Sequence, residues 1–168
     1  MLARTSGSHP IELTIEADQR FFEQKLDAAD LIVHGRNSHE GQRNSAHRKR
    51  LIATRKVATI AADPANANAV LWNPAGARIE DAAARLGVRT GLVAVIGGTE
   101  IFDLFLDRYE VFWLTVAPRV SFDGGVPVFS GVPKTSADDV LRQHGLQPAE
   151  TRMLDAAQSV VLTKWIRP

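Results

Sequence analysis

The chain has 168 residues, of which 45% are hydrophobic and 23% are charged, so it suits one domain that buries roughly 70% of the surface its unfolded form exposes. Because the sequence contains no cysteine, disulfides, zinc–thiolate sites, iron–sulfur clusters and cysteine nucleophiles are excluded. A net charge of +1 gives no general attraction to nucleic acid or membranes, and no segment has the pattern of a membrane span or a signal peptide, so we expect a soluble cytoplasmic protein.

The first half of the chain predicts helices that alternate with short strands. Residues 1–13 have no apolar period and predict a loop. Thr14 is a candidate N-cap for a helix that runs to about Ala29, since Phe22, Leu26 and Ala29 fall on one stripe. Three apolar runs that end in turn or polar residues predict buried strands: residues 31–34, 51–53 and 70–72.

The stretch at residues 92–106, LVAVIGGTEIFDLFL, predicts a buried strand, a sharp turn and a helix. Gly97 and Gly98 let the main chain turn and let a ligand approach bare backbone. A helix that begins at Thr99 directs free N–H groups and the positive end of its dipole to the same place. This arrangement favours a phosphate or another anion, whereas a strand-to-helix connection without a ligand also explains two adjacent glycines.

The remaining pattern completes a layered α/β arrangement. Ile79, Ala82, Ala83 and Leu86 share a helix stripe, and Gly87 stands at the position of a C′ glycine. Four further segments predict, in order, an interior strand covered on both faces, a Gly/Pro-rich loop, a short helix and a β-hairpin: residues 111–116, 121–133, 138–144 and 151–165. The whole order predicts a largely parallel sheet with an antiparallel C-terminal hairpin.

Residues 41–62 contain six lysines and arginines and no acidic residue. Arg55 within this segment and Arg36 just before it are candidates for bidentate phosphate contact. Four other cations are predicted to lie on a solvated loop surface: Arg43, Arg48, Lys49 and Arg50. We expect no metal site, because the five histidines are scattered without ligand spacing.

Three motifs follow predicted strands in order: Gly35-Arg36-Asn37-Ser38, Thr54-Arg55, and Val95-Ile96-Gly97-Gly98-Thr99-Glu100-Ile101-Phe102. Together they resemble the dihydrofolate reductase superfamily, which includes the reductase domain of the riboflavin-biosynthesis deaminase-reductase. The resemblance runs from about residue 11 to the end of the chain. It implies one dihydrofolate-reductase-like, three-layer domain over residues 1–168 and an NADP-dependent oxidoreductase.

The resemblance also implies a role for each motif. Residues 35–38 are expected to begin a helix whose N–H groups hold the cofactor pyrophosphate, with Arg36 near the adenosine 2′-phosphate. Thr54 and Arg55 are expected to contact the same phosphate and the adenine. Residues 96–102 match the turn that receives the nicotinamide and the pyrophosphate, with a cis peptide between Gly97 and Gly98.

Asp18 is the candidate proton donor, because hydride transfer to a C=N or C=O group also requires a proton. Dihydrofolate reductases keep one acid on the helix before the Gly-Arg strand, and Asp18 matches it within a residue. The alternative is a carboxylate that serves only the helix dipole, worth about 0.3–1 kcal/mol. Two departures favour the riboflavin type: Ile11 follows Pro10 where a Trp is expected nearby, and Phe102 replaces an expected Tyr.

Members of this superfamily begin with a central strand that leads into an Asp-Gly-x-Ile-Ala-like turn. Met1-Leu2-Ala3 resembles the tail of that turn. We therefore expect a central strand of roughly 5–6 residues to lie outside residues 1–168 or to be replaced by another segment or a partner chain.

The favoured function is NADPH-dependent reduction of a pteridine- or pyrimidine-type heterocycle, most like the riboflavin-pathway reductase of 5-amino-6-ribosylaminouracil. Dihydrofolate reduction is one alternative, and a nucleotide-binding protein without catalysis on the same scaffold is another. The expected partner is a small heterocyclic substrate and not nucleic acid or membrane. The oligomeric state is left open, with a homodimer as one option.

Overall fold

The computed structural model describes residues 3–4, 15–38, 41, 43–120 and 124–168. The chain divides into two compact units, Met1–Phe21 with Phe102–Pro168 and, as the second unit, Phe22–Ile101. The elements follow in chain order: β1 (Ala3–Arg4), α1 (Glu16–Asp27), β2 (Leu31–Gly35), β3 (Arg50–Ala53), β4 (Ile60–Ala62), β5 (Ala69–Trp72), α2 (Ile79–Arg85), β6 (Val93–Val95), α3 (Thr99–Leu104), β7 (Val111–Val116), β8 (Gly125–Val126), α4 (Ala137–Gln143), β9 (Gln147–Asp155) and β10 (Val160–Ile166).

The second unit contains the predicted parallel sheet. Among the described residues its strand order is β4-β5-β3-β2-β6. The pairs β2–β3, β2–β6 and β3–β5 are parallel, and β4, which the sequence pattern missed, is antiparallel to β5. The apolar side chains of β2, Leu31, Ile32 and Val33, are almost fully buried. Because the parallel strands run in one direction, their carboxyl ends share one edge of the sheet and their amino ends the other.

Helix α1 confirms the predicted helix. Glu16 and Asp18 lie in its first turn, where carboxylates suit the dipole, and Leu26 is buried. Thr14, its candidate N-cap, lies outside the described residues, as do most of the predicted loop at 1–13 and the Met1-Leu2 start of the expected turn. Within that loop, β1 pairs antiparallel with β8. No helix in the described part of the chain has the length and apolar sequence that crossing a bilayer requires.

The first unit contains the C-terminal hairpin in a sheet of its own. Strand β10 pairs antiparallel with both β9 and β7, which confirms the predicted hairpin. Helix α4 matches the predicted short helix, and the Ser136 side chain caps it by accepting a hydrogen bond from the Asp139 N–H. Trp165 and Phe129 are the largest fully buried side chains of the core.

Two strands predicted to be buried are edge strands among the described residues. Strand β6 pairs with β2, and β7 pairs with β10. The pattern of 92–96 predicted a buried strand, yet Val93 is 40% exposed, and at the end of β7 Val116 is 48% exposed. The predictions of a buried strand at 92–96 and of an interior strand at 111–116 are therefore wrong, because apolar composition does not determine whether a strand has two neighbours.

The basic segment also differs from its prediction. Arg48 and Arg50 are 8% and 4% exposed and do not lie on a solvated loop surface. Arg48 donates to Asp27 Oδ1 at 2.6 Å, and Arg50 donates to the carbonyl and hydroxyl oxygens of Ser45 at 2.9 Å. Buried guanidinium groups need such partners, which the local sequence does not reveal. Arg43 and Lys49 are exposed, as predicted.

Candidate functional site

The turn at Gly97-Gly98 lies at the carboxyl end of β6, beside the end of β2. The peptide bond between the two glycines is cis, as the resemblance implies. The Gly35 N–H donates to the Gly97 carbonyl at 2.7 Å, and the Ile96 N–H donates to the Val33 carbonyl at 2.9 Å. These bonds hold the Gly97-Gly98 turn against the residue that begins the Gly35-Ser38 motif.

The backbone at this corner lies close to its neighbours. A Cβ on Gly98 would be 3.1 Å from Ser38 Oγ, which is tighter than ordinary van der Waals contact. A Cβ on Gly35 would be 3.4 Å from Ile101 Cγ1 and 3.7 Å from the Gly97 carbonyl oxygen. Glycine at both positions keeps bare main chain at the carboxyl edge of the sheet.

Residues 36–38 form a turn, with the Ser38 N–H donating to the Gly35 carbonyl at 2.9 Å. The expected helix start at this motif is therefore not seen in the described residues. Asn37 and Ser38 favour such turns because their short polar side chains compete for local backbone hydrogen bonds.

The two candidate phosphate-binding arginines have different surroundings. Arg36 is exposed, and its guanidinium has no partner among the described residues. The backbone N–H of Arg36 donates to the Ala53 carbonyl at 3.3 Å. The Arg55 guanidinium pairs with Glu100, at 3.0 Å from Oε2. Thr54 Oγ1 accepts from the Lys56 N–H at 3.2 Å. Among the described residues, the Arg36 guanidinium is thus available to a ligand, whereas the Arg55 guanidinium is paired with Glu100. The sequence predicted both Arg55 and Glu100 as cofactor-site residues but did not predict that they pair.

The helix that follows the glycines begins as predicted. The Ile101 N–H donates to the Gly98 carbonyl at 2.9 Å, and Thr99 is the first residue of α3. Gly98 and Thr99 are half-buried, and Glu100 is exposed. Phe102 is buried in the first unit, 5.7 Å from the Phe112 ring centre. The Phe102 ring therefore packs in the hydrophobic core of the first unit.

Asp18, the candidate proton donor, belongs to the first unit. It is half-buried, and the Thr115 hydroxyl of β7 donates to its Oδ1 at 2.6 Å. Nearby on the same elements, the Phe21 and Trp113 rings pack edge to face with centres 4.9 Å apart. A carboxylate that served only the helix dipole would need no such partner. Sequence reasoning missed Thr115, and the one signal was a hydroxyl in the otherwise apolar strand VFWLTV.

The structure therefore gathers most of the predicted cofactor residues at one edge of the second unit's sheet. Those at or beyond the carboxyl ends of β2, β3 and β6 are Gly35, Arg36, Asn37, Ser38, Thr54, Arg55, Ile96, Gly97, Gly98, Thr99, Glu100 and Ile101. Asp18 and Phe102 are residues of the first unit. Among the described residues, no group of three or more histidine or acidic side chains is arranged to hold a metal ion.

Comparison with known proteins supports this architecture. No protein-family model matches the sequence, and no curated protein is significantly similar to it. A dihydrofolate reductase from Enterococcus faecalis, complexed with NADP(H) and RAB-propyl, matches with a TM-score of 0.63 and 15% identity over 99% of this chain and 89% of that chain.

A second solved structure is a diaminohydroxyphosphoribosylaminopyrimidine deaminase/5-amino-6-(5-phosphoribosylamino)uracil reductase from Thermotoga maritima. It matches with a TM-score of 0.60 and 17% identity over 99% of this chain and 53% of that chain. The present chain thus spans about half the length of that protein. Both likenesses show that the chain has the dihydrofolate-reductase-like α/β fold, as its motifs indicated.

Proposed function

We propose that this chain is an NADPH-dependent reductase of a pteridine- or pyrimidine-type heterocycle, most like the riboflavin-pathway uracil reductase. The observation that carries the proposal is the glycine corner, where Gly35 and Gly98 present bare backbone and where Arg36 follows Gly35 with a guanidinium that is exposed and unpaired among the described residues. Glycine backbone near a cation at the carboxyl edge of a parallel sheet suits a phosphate-bearing ligand. The NADP(H) in the dihydrofolate reductase neighbour adds support.

The described residues fit such a cofactor. The corner lacks the side-chain carbons that would crowd a pyrophosphate. Arg36 and Thr54 would hold the adenosine 2′-phosphate, together with Arg55 when it leaves Glu100. When bound, NADPH supplies a hydride.

Asp18 would supply the proton that accompanies the hydride. Thr115 donates to Oδ1, which fixes the orientation of the carboxyl group and leaves Oδ2 as the oxygen that exchanges a proton with the substrate. Thr115 is therefore a positioning residue for Asp18. Its loss is expected to lower turnover by less than the loss of Asp18 itself.

Reduction of dihydrofolate is the second candidate, since the dihydrofolate reductase neighbour is matched over 89% of its length. The two substrates separate the candidates directly. Purified protein is mixed with NADPH and either dihydrofolate or the ribosylaminopyrimidinone, and the loss of NADPH absorbance is followed. Faster oxidation with the ribosylaminopyrimidinone supports the proposal, and faster oxidation with dihydrofolate supports the second candidate.

Binding is tested before turnover. NADPH at about 100 times its Kd should add about 2.7 kcal/mol to the free energy of unfolding and raise Tm. Stabilisation by NADPH without oxidation in the presence of either substrate would support the binding protein without catalysis. If neither NADPH nor NADH changes Tm or quenches fluorescence, the cofactor assignment is wrong.

A further inference from the structure

A cavity of about 600 Å³ opens at the other edge of the same sheet. Its walls come from residues within 26–30, 44–49 and 87–90. The first two segments lead into the amino ends of β2 and β3, and the third precedes β6. The glycine corner follows the carboxyl ends of β2 and β6, so the cavity is separate from the candidate cofactor site. What the cavity binds therefore does not depend on the proposed function.

The two carboxylates in the cavity wall are already satisfied by the protein. Asp27 Oδ1 accepts from Arg48 at 2.6 and 3.2 Å and from the Asn44 amide at 3.1 Å. These bonds, first from Arg48 and then from Asn44, hold the pKa of Asp27 below its usual range. Asp30 accepts from the Leu92 N–H at 2.8 Å. The Asp27 charge is thus offset by Arg48, and Asp30 Oδ2 is bonded to the main chain.

The cations at the rim have no such partner. Lys49 and Arg89 line the cavity and are exposed, and neither side chain makes an ion pair or hydrogen bond with any described residue. The imidazole of His47, also in the wall, likewise has no partner among these residues. With Arg48, the lining carries three permanent positive charges against two carboxylates.

We infer that this cavity binds a small organic phosphate. A guanidinium provides planar, bidentate contacts to phosphate oxygens, and an ammonium adds a point charge, so Arg89 and Lys49 form a complementary pair. His47 and the Thr90 hydroxyl, both in the wall, offer further hydrogen bonds to the ligand. The volume falls within the range of small-molecule sites, with room for a body of the size of a sugar beside the phosphate.

The test is an NMR titration of ¹⁵N-labelled protein at low ionic strength, with glucose 6-phosphate as the probe and glucose as its uncharged counterpart. Up to about 20 mM glucose 6-phosphate, a concentration that reveals millimolar affinity, should shift the amides of residues 47–49 and 88–90 with saturation. Glucose should shift none of them. Inorganic phosphate should bind more weakly, and equal affinity would overturn the assignment of an organic ligand.

Variants then test the two cations. The double variant Lys49→Ala/Arg89→Ala should bind glucose 6-phosphate at least about tenfold more weakly. The matched control, Arg85→Ala/Lys134→Ala, removes the same charge from exposed positions outside the cavity wall and should bind within about twofold of the wild type. Unchanged Tm in both variants shows that folding is intact, and the single variants give the same comparison if the double variant unfolds.

The inference is overturned by no saturable shift in the wild type or by equal weakening in both double variants. Shifts confined to residues 35–38 and 54–55 would also overturn it, because the phosphate would then occupy the candidate cofactor site.

Discussion

The ion pair between Arg55 and Glu100 is expected to limit the preference of the protein for NADPH over NADH. Glu100 Oε2 lies 3.0 Å from the Arg55 guanidinium. A 2′-phosphate that takes Arg55 as its partner must compete with this carboxylate and lie close to it. Replacing the carboxylate by an amide of the same shape, Glu100→Gln, removes the repulsion without removing a side chain.

The size of the effect follows from the charges. A phosphate oxygen bound to Arg55 would lie about 5 Å from the Glu100 carboxylate, where two unit charges in water repel by about 0.8 kcal/mol. A phosphate group with a charge near −2 roughly doubles this repulsion, and screening over a Debye length of about 8 Å removes roughly half. The change should therefore tighten NADPH binding by about 0.8 kcal/mol, or about fourfold.

Fluorescence titration of NADPH and NADH into the wild type and Glu100→Gln checks this expectation. NADPH affinity should rise about fourfold, NADH affinity should rise less because NADH lacks the 2′-phosphate, and the gain should shrink as salt is added. Glu110→Gln, which removes the same charge from an exposed residue of the first unit, should change neither affinity. An equal gain for NADH, or no gain for NADPH, would refute the role of the Arg55–Glu100 pair.

Three further predictions address the proton donor, the glycine corner and the salt bridge of the second unit. Asp18→Asn should lower turnover by at least about 100-fold with NADPH affinity unchanged, as measured by NADPH oxidation and fluorescence titration; equal turnover would remove Asp18 from the chemistry. Gly98→Ala should weaken NADPH binding about tenfold with little change in Tm, because the Ser38 hydroxyl can move away from the added carbon, whereas Gly41→Ala meets nothing within 4 Å and should be neutral. The lowered pKa of Asp27 adds stability that is present above its unfolded pKa of about 4 and is lost as pH falls through the folded value. The free energy of unfolding from urea titrations should therefore fall more steeply below about pH 4 in the wild type than in Asp27→Asn, and parallel curves would contradict this.

The sequence predicted the elements well where local signals decide them. Gly87 adopts the left-handed conformation expected at C′, with φ of 70°, and the C-terminal hairpin forms across the turn between β9 and β10. The Gly97-Gly98 turn was also recognisable, because paired glycines between an apolar run and a helical stripe have few other uses. In these cases a few neighbouring residues carry the whole signal.

The sequence did not predict contacts between residues that lie far apart in the chain. Arg48 and Asp27 are 21 positions apart, and Thr115 and Asp18 are 97 positions apart, so neither pair leaves a local pattern. The apolar run of β6 likewise predicts a buried strand, but its neighbours in the sheet depend on the topology. The sequence therefore predicted the glycine turn and the candidate side chains Arg36, Arg55 and Asp18, and the structure added the Thr115–Asp18 bond and the Arg55–Glu100 pair.

The most direct test of the account is an NMR titration of NADPH into ¹⁵N-glycine-labelled protein. If the glycine corner receives the dinucleotide, the Gly35, Gly97 and Gly98 amides should show saturable shifts, while Gly145 in the first unit is unaffected or shifts only slightly. Binding of NADPH that leaves the three corner glycines unmoved would place the cofactor elsewhere. The absence of any saturable binding would contradict the central claim that bare backbone at this corner receives a dinucleotide.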